Sequence, residues 1–148
     1  MKENETKKDS EILAEIYRNC QLAIESISDI LPAVEGEEIK REILEEHEEY
    51  EKISSRAAAL AKDRGIEIKE PNPIKKAMMW SAIKMNAATD NSPRHIAEMM
   101  IRGTVTGITC LKASLTDSEQ DMDEEIKALL CELISMEESF ENRLKRHI

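Results

Sequence analysis

Aromatic side chains are almost missing from this chain: one Trp, two Tyr and one Phe make up 3% of its 148 residues. A core here must be filled by aliphatic side chains and Met. Glycine and proline are also scarce, with four of each. That scarcity favours long helices with few connections over a sheet. There are three cysteines, Cys20, Cys110 and Cys131, an odd number with no Cys-x-x-Cys spacing. Each falls on or beside an apolar helical stripe, so they are read as reduced core cysteines, not as a disulfide framework or a zinc site. No apolar run approaches the roughly 18 residues of a membrane span. The start, MKENETKKDSE, lacks the apolar segment of a secretory signal, and a cytoplasmic location without membrane contact is expected. A basic stripe is absent as well. The formal net charge is −10, so no affinity for nucleic acid is expected. The basic cluster Arg143, Lys145, Arg146 is read as charge at the negative end of a helix. The length suits one domain with one core.

What the chain does have is helical periodicity. Residues 1–8 are polar and expected to fray, with one bundle domain over 9–148. Asp9 or Ser10 can cap a first helix, whose apolar stripe is Leu13, Ile16, Cys20, Ala23, Ile27, Ile30 and Val34. Pro32 ends or bends it, and Glu35-Gly36 makes a tight connection. A second helix is predicted over 37–64, with Gly65 just past its last turn. Asn72-Pro73 and Ser92-Pro93 are each a capping residue followed by proline at the first helical position. They predict a short helix over 73–89 and a longer one ending near Leu115. Thr116–Gln120 reads as a turn. Asp121 with Glu124 resembles a capping box that starts the last helix. The predicted fold is all-α: four long helices, two tight hairpins, and a helical crossover between the second and third long helices.

Two residues break the pattern. One predicted stripe is Ile39, Ile43, Glu46, Tyr50, Ile53, Ala57 and Leu60; another is Ile126, Leu130, Leu133, Glu137, Phe140 and Leu144. A lone carboxylate in a helix-bundle core is costly unless it is protonated, paired or bound to a cation. Glu46 and Glu137 are therefore the candidate site. Their distances from the two hairpin turns are about 15 Å and 28 Å. If consecutive helices simply alternate up and down, the glutamates lie roughly 14 Å apart along the axis. If the long connection runs the length of a bundle about 40 Å long, they come to nearly the same level. Without a metal, the expectation is that they share a proton or bond Tyr50, backbone or water, with one acid pKa raised.

The layout of hairpin, crossover and hairpin resembles the ferritin-like superfamily, most of all its small bundle proteins from Gram-positive bacteria. The local cues are Glu46-Glu48-Glu49-Tyr50, the stretch from Thr89-Asp90 through His95-Ile96-Ala97-Glu98-Met99-Met100 to Gly103, and Glu137-Glu138 with Glu141. Metal-binding members of that superfamily take a Glu from each of two helices and a Glu-x-x-His pair from each of the other two. This chain has no Glu-x-x-His. The second helix offers Glu46-x-x-Glu49 and the fourth Glu137-x-x-Phe140. The resemblance thus implies the fold with a reduced ligand set. A metal reading would place Glu46 and Glu137 at the core of an iron or manganese site, with Glu49, Glu141 and His95 in support. The leading expectation is a non-enzymatic protein without catalytic residues or cofactor, acting through protein contacts, with a homodimer through its Met-rich region as one form.

Three other features complete the sequence. Gly103-Thr-Val-Thr-Gly107 lets a helix or a bulky group such as Trp80 approach closely, and is also a candidate cleft for a small molecule. Met78, Met79, Met85, Met99 and Met100 concentrate in one third of the chain, as core filling or as an adaptable binding face. Asp117, Glu119, Asp121 and Asp123 alternate like a calcium loop. That loop needs Gly and Glu where this chain has Met122 and Ala128, so the segment is read as an acidic helix start.

Overall fold

The computed structural model describes residues 2–68, 91–118 and 121–148, the side chains of 2–8 and 118 excepted. Among the described residues four helices pack as an all-α bundle: α1 (Lys2–Ile30), α2 (Glu37–Asp63), α3 (Pro93–Ser118) and α4 (Glu124–Leu144). The short helix expected over 73–89, with Trp80, Met78, Met79 and Met85, lies outside the described residues.

The ends of the elements follow from local chemistry. α1 stops at Ile30 and passes into a 3-10 turn over Leu31–Ala33, where Pro32 cannot continue an α-helix. Gly36 then takes a φ of +102°, a left-handed value that L side chains rarely adopt. α2 closes with a Schellman arrangement. Gly65 has a φ of +65°, its N–H donates to the Lys62 carbonyl at 3.2 Å, and the Ile66 N–H donates to Ala61 at 2.8 Å. Ser92 Oγ accepts from the His95 N–H at 3.3 Å, ahead of Pro93 at the first position of α3.

Two expected starts differ. α1 begins at Lys2, so Asp9 and Ser10 lie inside the helix and do not cap it. α4 is capped by Asp123, whose Oδ2 accepts from Glu125 N–H at 2.9 Å and Ile126 N–H at 3.2 Å, and not by Asp121. The other oxygen of Asp123 reaches Arg64 at 2.8 Å. α3 runs three residues past the predicted end, to Ser118.

α1 packs mainly on α2, and α3 mainly on α4; the α2–α4 seam joins the two hairpins. The stripes read from sequence are buried. On α2 these are Ile39, Ile43, Tyr50, Ile53 and Ala57; on α4, Ile126, Leu130, Leu133, Phe140 and Leu144; all join one core cluster with Leu13, Ile16, Ile27 and Ile30 of α1. The buried face of α3 is Ile96, Ala97, Met99, Thr104, Ile108 and Leu111, and Gly103 is exposed. Cys20 is buried and Cys131 half-buried, but Cys110 is exposed, against the core reading made for all three.

Two contacts fix the path between α2 and α3. Arg64, at the end of α2, pairs with Asp123 at the start of α4. Pro93, at the start of α3, lies against Gly36 at the start of α2, its Cγ 3.0 Å from where a Gly36 side chain would begin. The chain therefore leaves α2 at one end of the bundle and enters α3 at the other. α2 and α3 run parallel, and consecutive helices do not simply zigzag. No described helix is long and apolar enough to cross a membrane.

Candidate functional site

Glu46 and Glu137 are buried in the middle of the bundle, 0% and 1% exposed. The stripe of α2 points Glu46 inward, and the stripe of α4 does the same for Glu137. The pairs Glu42–His147, Glu46–Arg143, Arg56–Glu132 and Arg64–Asp123 step along the antiparallel helices together. The lengthwise return brings the acids into one region, where the Glu46 charge acts on Glu137. Tyr50, one turn beyond Glu46, feels the charge of both acids.

Each acid has its own partners. Arg143 Nη2 donates to Glu46 Oε2 at 3.0 Å, and Nη1 donates to Glu45 Oε2 at 3.1 Å. Glu137 accepts from the Asn19 amide of α1 and the Tyr50 hydroxyl of α2. On the α3 side Gly107 makes room: a Cβ there would sit 2.8 Å from Glu137 Oε2 and 3.1 Å from Asn19 Nδ2. Within the described residues, Oε1 of Glu46, Oε1 of Glu137 and Nε of Arg143 are buried with no hydrogen-bond partner. Such orphaned polar atoms are uncommon in native proteins. One turn from Glu46, at 2.9 Å, His147 Nε2 meets Glu42 and closes the same seam with a second rung.

The electrostatics follow from burial. Loss of water pushes the Glu46 carboxyl up to about 8; Arg143 opposes the rise, and Glu49 and Glu45 add to it. Burial also lifts Glu137 to about 8, helped by the Glu46 charge and opposed by the bonds from Asn19 and Tyr50. The Tyr50 hydroxyl is pushed well above its ordinary value by burial and then by Glu137 and Glu46. The Cys20 thiol rises through burial and the Glu137 charge, so it stays a thiol and is no nucleophile. A rise is expected at one of the two acids; burial raises both.

The supporting residues of the metal reading fall elsewhere. Glu49 is exposed and pairs with Lys52 at 3.3 Å. Glu141 is half-buried and pairs with Lys145 at 3.2 Å. His95 is half-buried in the first turn of α3, at the far end from α3's contact with Asn19 and Glu137. Among the described residues no group of three or more His, Cys, Asp and Glu is arranged to hold a metal ion. At the level of Glu137, α1 contributes Asn19 and Cys20 and α3 contributes Gly107, so two of the four helices bring no carboxylate. The donor set does not fit the Glu and Glu-x-x-His ligands of the metal-binding members of that superfamily.

The two glycines of the candidate cleft have different surroundings. The space beside Gly107 is taken by Glu137 and Asn19, and a Cβ on Gly103 would have nothing within 4 Å. Sequence reasoning missed Arg143, Asn19 and Gly107 as parts of the acid centre. No protein-family model matches the chain, and neither a curated protein nor a solved structure matches it.

Proposed function

We propose that the chain is a ferritin-like four-helix bundle whose acid centre is completed by protein groups, and that it is a non-enzymatic protein acting through contacts with other proteins. The lengthwise passage from α2 to α3 supports the ferritin-like reading. The observation that carries the functional part is the Arg143 guanidinium bonded to buried Glu46. A protein cation sits on the carboxylate that a metal ion would need, and the neutral Asn19 and Tyr50 side chains bond the second acid. Such a centre specifies how α2 and α4 dock, since charged and polar core groups accept few alternative packings. Partner contact then falls to the surface. Leu44, 44% exposed on α2, lies beside Leu31 and Pro32; of the Met-rich region, Met99 belongs to the core and Met100 is half-buried on α3. Elemental analysis of protein grown with added iron and manganese tests the first half. Near-stoichiometric metal that vanishes in Glu46→Ala would sink it. Light scattering tests self-association, with a clean monomer at high concentration counting against a homodimer.

A second reading has its own support. The Oε1 atoms of Glu46 and Glu137 lack partners, as donors to an iron or manganese ion would before it binds. The same elemental analysis decides between the two.

A further inference from the structure

We propose that Arg143 is the built-in counter-ion of the acid centre: its guanidinium holds the place between Glu45 and Glu46 that a divalent cation would take, and its removal opens that place to such a cation. The inference rests on the reading that the centre works without metal ions. The guanidinium reaches two different carboxylates of α2, Glu45 Oε2 at 3.1 Å and Glu46 Oε2 at 3.0 Å. Two carboxylate oxygens therefore converge on one positive charge. Oxygen-liganded divalent ions need the same convergence. Glu46 also holds a donor in reserve, because its Oε1 is buried and unpartnered while its side chain is 1% exposed. The surroundings are negative, since Glu45 and Glu49 both act on Glu46. A buried carboxylate stripped of its cation is unstable as it stands. It must take up a proton or another cation, and added metal supplies the second.

The test titrates manganese(II) alone into metal-free protein, following loss of the free-ion electron paramagnetic resonance signal. Wild type, Glu46→Gln, Arg143→Ala and the double variant Arg143→Ala/Glu46→Gln are compared at pH 8, with helix content checked by circular dichroism. Arg143→Ala should bind one equivalent at least about tenfold more tightly than wild type, the spread that 1.4 kcal/mol gives. The double variant should lose that gain. Arg143→Ala binding no more tightly than wild type would overturn the inference and leave the metal-free reading intact. Tight binding by wild type, lost in Glu46→Gln, would overturn both. Should Arg143→Ala not fold alone, the titration is read in Arg143→Gln. Should neither fold alone, manganese-dependent recovery of helix supports the inference and its absence overturns it.

Discussion

Of the arginine–carboxylate pairs that cross the α2–α4 seam, two behave in opposite ways. Arg64 meets Asp123 at 2.8 Å at one end, with both side chains near 30% exposed. Arg143 meets Glu46 at 3.0 Å nearer the other end, with the carboxylate 1% exposed. The arginine bond pulls the Asp123 carboxyl below its ordinary value. The Glu46 carboxyl rises to about 8 despite a similar bond, because lost hydration outweighs the attraction. Contact distance does not set the sign; access to water does.

The sharpest way to break this comparison is to remove each arginine in turn. Arg143→Ala leaves a buried carboxylate without its cation and should cost about 3 kcal/mol above pH 8. The cost should shrink at lower pH, where Glu46 takes up a proton. Arg64→Ala should cost no more than about 1 kcal/mol, since Asp123 stays hydrated and keeps its capping bonds. Urea unfolding of both variants at two pH values gives the answer. Equal losses would mean that burial is not the deciding variable.

Stability against pH separates the two regions again. Glu46 and Glu137 hold protons more tightly folded than unfolded. The folded chain therefore binds more protons between the ordinary glutamate value of 4.5 and about 8, and stability should fall as pH rises through that window. Asp123 works the other way. Its stabilisation is present above the unfolded value of 3.8 and is lost as pH falls through its lower folded value. Thermal melts from pH 3 to 9 should show both slopes. Glu137→Gln should flatten the slope between 4.5 and 8 and leave the acid limb unchanged. An unaltered slope in that variant would assign the protons elsewhere.

How much of this was legible in the sequence depends on the residue. Glu46 and Glu137 stood out because every neighbour on their stripes was apolar, and heptad spacing alone buries them. Gly65 and Ser92-Pro93 marked helix ends through backbone chemistry that needs no tertiary context. Arg143 did not stand out. It sits three residues after Phe140 in a basic cluster at a helix end, where charge at the negative pole of the helix accounts for it. Its pairing with Glu46 depends on the α2–α4 register, which α2 and α4 set only by packing. Asn19 was hidden beside Cys20 for the same reason: the helix period places it at the stripe's edge, and only Glu137 gives it a role.

The glycines of α3 give the smallest effect and the cleanest contrast, because the same substitution should change sign four residues apart. Gly103 and Gly107 look equivalent in sequence as one Gly-x-x-x-Gly. A Cβ at Gly103 meets nothing within 4 Å, so Gly103→Ala should stabilise α3 by up to about 1 kcal/mol through helix propensity alone. At Gly107 the same methyl falls 2.8 Å from Glu137 Oε2 and 3.1 Å from Asn19 Nδ2. The carboxyl must move, and it is already bonded to Asn19 and Tyr50 within a closed core. Gly107→Ala should therefore cost about 1–2 kcal/mol, overpacking outweighing the same propensity gain. Glu137→Gln keeps the volume and should not relieve the loss, but Glu137→Ala in the same chain should relieve most of it. Melting temperatures of these four variants and wild type decide the matter. A stabilised Gly107→Ala would mean that Glu137 does not lie against α3, and the acid centre would lose the helix that closes it.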